Sequence, residues 1–171
     1  MIWPMSHHEH RAASPSHIRC YVLTVSDTRT EESDTGGRLL RELLSGDDHE
    51  VLGHAIVPDE PDTLRAAIER QLETEAVQAV LTTGGTGISR RDGSFEVVSA
   101  LIDKRIDGFG ELFRALSFEE IGPSAMLSRA CAGTARGKIL ISLPGSKNAV
   151  RLGMMRLVLP ELGHLVREVT R

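Results

Sequence analysis

Four short apolar runs most constrain this chain: IRCYVLTV at 18–25, EVLGHAIV at 50–57, the stretch over 77–82, and KILISL at 138–143. Each has the length and β-branched content of a buried strand, and segments of helical periodicity separate them. Asp34 is the expected N-cap of a helix over 35–45 with the stripe Leu39, Leu40, Leu43 and Leu44, although Gly36 and Gly37 weaken its first turn. Pro58-Asp59-Glu60-Pro61 breaks the second strand and opens a helix with Leu64, Ala67, Ile68 and Leu72 at helical spacing. Further helices are expected near 95–103, 109–120, 123–130, 147–157 and 160–169. Strands alternating with helices in this way predict an α/β fold. The expected architecture is a single-domain three-layer sandwich, a mostly parallel sheet with helices on both faces.

The length of 171 residues suits one domain, expected over 17–171, and allows burial of about two-thirds of the unfolded surface. A net charge of −4 gives no reason to invoke nucleic acid or a membrane surface as partner. No apolar stretch approaches the roughly 20 residues of a membrane span. Cys20 and Cys131 form no Cys-x-x-Cys pair and read as small buried hydrophobes in a reducing compartment, so the cytoplasm is the expected location. Residues 1–16 hold His7, His8, His10 and two prolines without the apolar core of a signal peptide. They read as a flexible tail, with metal capture by the histidines as the alternative.

Polar clusters follow the strand ends: Ser26-Asp27-Thr28, Pro58-Asp59-Glu60, the segment from Thr83 to Asp92, and Pro144-Gly145-Ser146. Ligands of open α/β sheets bind beyond the carboxyl ends of strands where strand order reverses, so these clusters are expected to line one pocket. The sharpest is Thr82-Thr83-Gly84-Gly85-Thr86-Gly87. Glycines there allow backbone with φ > 0 and leave N–H groups unobstructed, the chemistry of a phosphate cradle. No Lys-Ser/Thr follows, which excludes a P-loop. A plain glycine-rich connection between strand and helix is the alternative. Asp59 and Asp92 read first as caps of the helices that follow them, with ligand-site carboxylates as the alternative.

Six ordered segments carry a family resemblance: VLTVSDTR (22–29), VPDE (57–60), LTTGGTGISRRD (81–92), GFGELFRALSFEEIG (108–122), AMLSRACAG (125–133) and LPGSKNAVRLGM (143–154). On them the chain resembles the MoaB/Mog family of molybdenum cofactor biosynthesis proteins, and the long block from Gly108 the MoaB branch. The resemblance implies an α/β sandwich, assembly as a homo-oligomer (trimer or hexamer), and binding of molybdopterin. It also implies adenylylation of the terminal phosphate of molybdopterin with Mg2+ and ATP, and possible contact with other enzymes of cofactor synthesis. A non-catalytic molybdopterin carrier or scaffold is the alternative. A generic phosphate-ester hydrolase is a weaker third reading, because His54 and His164 read as structural or exposed.

Carried over by motif, Asp59 and Asp92 become the catalytic pair, holding Mg2+ and the nucleotide phosphates. Thr83, Gly84, Gly85, Thr86 and Gly87 form the phosphate cradle; Pro144, Gly145 and Ser146 help form the pterin pocket. Ser26, Asp27, Glu111, Ser128 and Arg129 join the pocket wall, with a loop-holding Asx-turn as the alternative for Asp27. Phe109, Leu112, Phe113 and Leu116 share one helix face and are expected to pack in the core or at a subunit contact. Arg90, Arg91, Lys104 and Arg105 steer polyanions or form solvated surface. Two departures stand out. The segment after Asp92 is Gly93-Ser94-Phe95-Glu96 where the family has Thr-Pro, and Lys147 replaces the proline after LPGS.

Overall fold

The computed structural model describes residues 14–171, so the three histidines at 7, 8 and 10 and most of the expected tail lie outside it. Six strands form one sheet: β1 (Arg19–Val25), β2 (Glu50–Val57), β3 (Ala79–Thr83), β4 (Lys104–Arg105), β5 (Cys131–Ala135) and β6 (Lys138–Leu143). Their order is β2-β1-β3-β6-β5-β4. The four expected strands run parallel, with Val22 beside Leu81 and Leu81 beside Ile141. They are joined through α1 (Thr35–Gly46), α2 (Pro61–Glu73) and the long crossover that contains α3 (Ser94–Leu101) and α4 (Asp107–Ile121).

Alternate residues of each central strand point to opposite faces. Cys20, Val22, Leu81, Ile139 and Ile141 face a layer supplied by α1, α4 and the C-terminal helices, where Leu40, Leu44, Phe113, Leu162 and Val166 are buried. Leu23, Val25, Val80 and Leu140 face α2 and α3 through Leu64, Ile68, Leu72, Val97 and Val98. Both faces are therefore covered, which a parallel sheet requires. Each such buried aliphatic side chain is worth roughly 2 kcal/mol against exposure.

The structure departs from expectation in three places. Strands β4 and β5 were not legible: β4 is two exposed charged residues, and β5, CAGTA, has little β-branched bulk. They exist because β5 folds back antiparallel on β6 through a tight turn, with Arg136 at φ 48° and Gly137 at φ 75°, and then pairs with β4. The helix expected near 123–130 is a 3₁₀ segment, Gly122–Leu127, because Gly122 with φ 63° ends α4. The two C-terminal helices, α5 (Lys147–Gly153) and α6 (Leu159–Val169), are continuous through a π-helical turn over Met154–Val158. Pro160 lacks an N–H and its ring crowds the preceding turn, and the wider π turn accommodates it without ending the helix.

Candidate functional site

Strand β1 has β2 on one side and β3 on the other, so the chain reverses its direction of travel across the sheet between β1 and β3. At the carboxyl ends of these strands lies a cavity of about 440 Å³. Its rim is the loop that leaves β3. Gly84 has φ 107°, and a Cβ there would stand 2.2 Å from the Val25 carbonyl oxygen. Gly85 has φ 63°, and a Cβ would meet Ser94 Oγ at 2.2 Å and Asp59 Oδ2 at 2.4 Å. Only glycine allows the loop to run this close to its neighbours.

The amides of the loop divide by role. Gly84 N–H continues the sheet by donating to the Leu143 carbonyl at 3.0 Å. Those of Gly85 and Thr86, in the wall of the cavity, meet no acceptor among the described residues. Thr83 Oγ1 donates to the Pro144 carbonyl at 3.0 Å, which ties the end of β3 to the turn after β6. That turn supplies Pro144, Gly145 and Ser146 to the cavity wall; Ser146 caps α5 by accepting from Ala149 N–H at 3.2 Å.

Neither expected aspartate caps the helix that follows it. The N-caps are Glu60 and Gly93, without a side-chain bond in either case. Asp92 lines the cavity, and its Oδ2 accepts from Ser89 N–H at 2.8 Å. Hydrogen bonds from Ser89 and Gly87 hold its carboxyl below the usual range. Asp59 is buried, with Oδ1 accepting from Gly93 N–H at 3.1 Å and Oδ2 turned toward Gly85. Burial, then the charges of Asp92 and Asp27, push its proton affinity up. Ser94 Oγ faces the same point on Gly85, buried and without a hydrogen-bond partner among the described residues.

The donors that a divalent cation would use here are the carboxylates of Asp59 and Asp92 and the orphaned Ser94 hydroxyl, since Asp27 is taken up by Arg91 and by Asp59 N–H. No three His, Cys, Asp or Glu side chains converge on one position among the described residues, so other ligands would come from water and phosphate oxygens.

The other expected residues take more varied places. Ser26 lines the cavity and its Oγ accepts from the amides of Thr28 and Arg29 at 3.2 and 3.1 Å. Asp27 holds loops together instead of facing the cavity: Oδ1 accepts from Asp59 N–H at 3.0 Å and Oδ2 pairs with Arg91 at 2.8 Å. The Arg91 guanidinium keeps the Asp27 carboxyl low. Ser128 borders this cavity and a second one of about 330 Å³, which Glu111 and Arg129 line with Phe95, Arg105 and Arg114. Glu111 is thus not brought to the main cavity.

Sequence reasoning missed Arg29, Ser117, Ile121, Leu127 and Ala149 on the main cavity wall, and read Phe113, which also lines it, only as packing. Arg29 is the informative omission. Its Nη2 donates to the Gly145 carbonyl at 2.9 Å and its Nη1 to Asp34 Oδ1 at 3.2 Å, placing a cation on the wall where no other lysine or arginine among the described residues stands. The signal was its position at the end of VLTVSDTR, only four residues past the last residue of β1.

A family profile described as a probable molybdopterin binding domain matches residues 21–164. The molybdenum cofactor biosynthesis protein B of Bacillus cereus is 52% identical over 168 residues, covering 98% of this chain and 99% of that protein. The protein of the same name from Bacillus subtilis is 44% identical over the same length. A crystal structure of a molybdenum cofactor biosynthesis protein B superposes with a TM-score of 0.88 at 52% identity, over 91% of this chain and 98% of that one. The tungsten cofactor synthesizing protein MoaB from Pyrococcus furiosus superposes with a TM-score of 0.79 at 38% identity, over 92% and 100%. With a sequence match over nearly its whole length and the same sheet and helices, the chain belongs to the MoaB/Mog family of molybdenum cofactor biosynthesis proteins.

Proposed function

We propose that this protein is a molybdopterin adenylyltransferase, which joins AMP from Mg-ATP to the terminal phosphate of molybdopterin. The observation that carries this reading is Asp59, a buried carboxylate with raised proton affinity beside the glycine loop. A protein that only held a phosphate would be weakened by that charge, whereas one that assembles a cation with two polyanions uses it.

In the reaction an oxygen of the substrate phosphate bonds to the α-phosphorus of ATP, the bond from that phosphorus to the bridging oxygen of the β-phosphate breaks, and pyrophosphate leaves. The chain needs no nucleophile of its own; it holds two anions together and offsets their charge. The free amides of Gly85 and Thr86 donate to phosphate oxygens, and Arg29 supplies the positive wall. Ser26, Ser128 and Ser146 offer hydroxyls around the pterin, while Phe113 and Leu127 exclude water on the helix side. Asp59 and Asp92 would hold Mg2+, which when bound supplies charge neutralisation at the triphosphate.

The reading includes a homo-oligomer, trimer or hexamer, and a cytoplasmic setting in which the buried thiols Cys20 and Cys131 stay free. Among the described residues no helix is long and apolar enough to cross a membrane.

The test is an assay of purified protein with molybdopterin and Mg-ATP, detecting adenylylated molybdopterin by mass, beside Asp92→Ala. Product from the wild type and at least a hundredfold less from the variant is expected, the scale of losing an electrostatic contact in a transition state. Tight molybdopterin binding with no product under several divalent metals would make the protein a carrier.

A further inference from the structure

All described peptide bonds are trans, so each unit of the glycine loop carries its carbonyl and its N–H on opposite sides. Whatever holds the carbonyls from outside therefore turns the paired amides inward. For the unit between Gly85 and Thr86 the holder is Ser94, whose N–H donates to the Gly85 carbonyl at 3.0 Å. For the next two units it is Arg129. Its Nε donates to the Thr86 carbonyl at 3.2 Å, and its Nη2 donates to the carbonyls of Gly87 and Asp92, the latter at 3.1 Å. Nη1 pairs with Glu96, and the Phe95 ring lies 5.1 Å from the guanidinium carbon. The side chain borders the second cavity and not the main one, so it grips the loop from behind.

We propose that Arg129 is a positioning residue for oxyanion binding: by fixing the outward carbonyls of Thr86 and Gly87 it keeps Gly87 N–H on the Asp92 carboxylate and holds the loop in the shape that presents the amides of Gly85 and Thr86, without touching the ligand. This rests on the phosphate-cradle reading above. Two physical effects support the role. The planar fork of a guanidinium spans three carbonyls and a carboxylate together, which a single ammonium cannot. Its charge on the carbonyl side also polarises these peptide units, which strengthens the donation of Gly87 N–H to Asp92 and stiffens the loop that carries the free amides. Free loop carbonyls would otherwise be able to turn toward the cavity and repel a phosphate.

The experiment is calorimetric titration of pyrophosphate into the wild type, R129A and R129K, with backbone amide exchange measured on each. R129A is expected to bind at least about tenfold more weakly, the scale of losing one or more charge-assisted hydrogen bonds. R129K should recover only a minor part of that affinity, and sub-denaturing guanidinium should restore binding to R129A. Exchange should accelerate at Thr86, Gly87 and Ile88 while Val80 and Leu140 in the sheet keep their protection. Unchanged affinity in R129A, full recovery in R129K, or exchange that rises throughout the sheet would each overturn the proposal, as would a wild type that binds no pyrophosphate. A wild type that binds pyrophosphate but transfers no AMP would instead defeat the transferase reading, leaving the variants to decide the role of Arg129.

Discussion

On the proposed chemistry, Asp59 sets function against stability. Its folded-state pKa lies above the unfolded value because burial, Asp92 and Asp27 disfavour its charge. Between those two values the folded state binds more protons, so stability is greatest on the acid side and falls as pH rises through that window. Asp59→Asn keeps an acceptor for Gly93 N–H and removes the charge. It should raise Tm at neutral pH while abolishing AMP transfer, and Mg2+ with pyrophosphate should stabilise the wild type far more than the variant in thermal scans. Gly84 is constrained by geometry instead of charge. At φ 107° and with the Val25 carbonyl in the path of any Cβ, Gly84→Ala should lose more than about 2 kcal/mol, read from the urea midpoint at constant slope.

At the scale of elements, α1 is anchored by a buried network that also reaches the cavity. Asp34 accepts from Gly37 N–H at 2.9 Å as N-cap, from Thr24 Oγ1 at 2.6 Å and from Arg29, and His54 Nε2 lies 3.2 Å away. Burial alone would raise the Asp34 pKa, but these donors outweigh it and the net shift is downward. Its contribution is therefore present above the unfolded pKa and is lost as pH falls through the folded one. Asp34→Ala should cost about 3 kcal/mol in urea unfolding, since it removes the acid partner of a half-buried arginine and a cap together. The same variant should weaken pyrophosphate binding, because Arg29 loses the partner that holds it against Gly145. The N-cap and the leucine stripe of α1 were legible in sequence, being local. The link from Asp34 through Arg29 to Gly145 was not, since it joins residues far apart in the chain.

Across the whole molecule, the exposed large apolar residues concentrate along α4 and the 3₁₀ segment: Leu112, Phe118, Ile121, Met126 and Leu127 are all at least half exposed. Ile121 and Leu127 also wall the main cavity, so this face runs into the site. A contiguous apolar face of this kind suits contact with another subunit. On the proposed homo-oligomer, Phe118→Asp with Met126→Asp should lower the mass measured by sedimentation toward that of a monomer. The sequence by itself determined the parallel sheet, the two covered faces, the glycine loop and the acids around it, because period, β-branching and turn chemistry are properties of neighbouring residues. The tertiary structure alone decided what those residues became. Pairing with β6 made strands of CAGTA and Lys104–Arg105, folding brought Asp27 to Asp59 and Arg91, and the guanidinium of Arg129 came to rest behind the loop instead of in the cavity. Those outcomes depend on which distant groups meet, and only the closed chain fixes that.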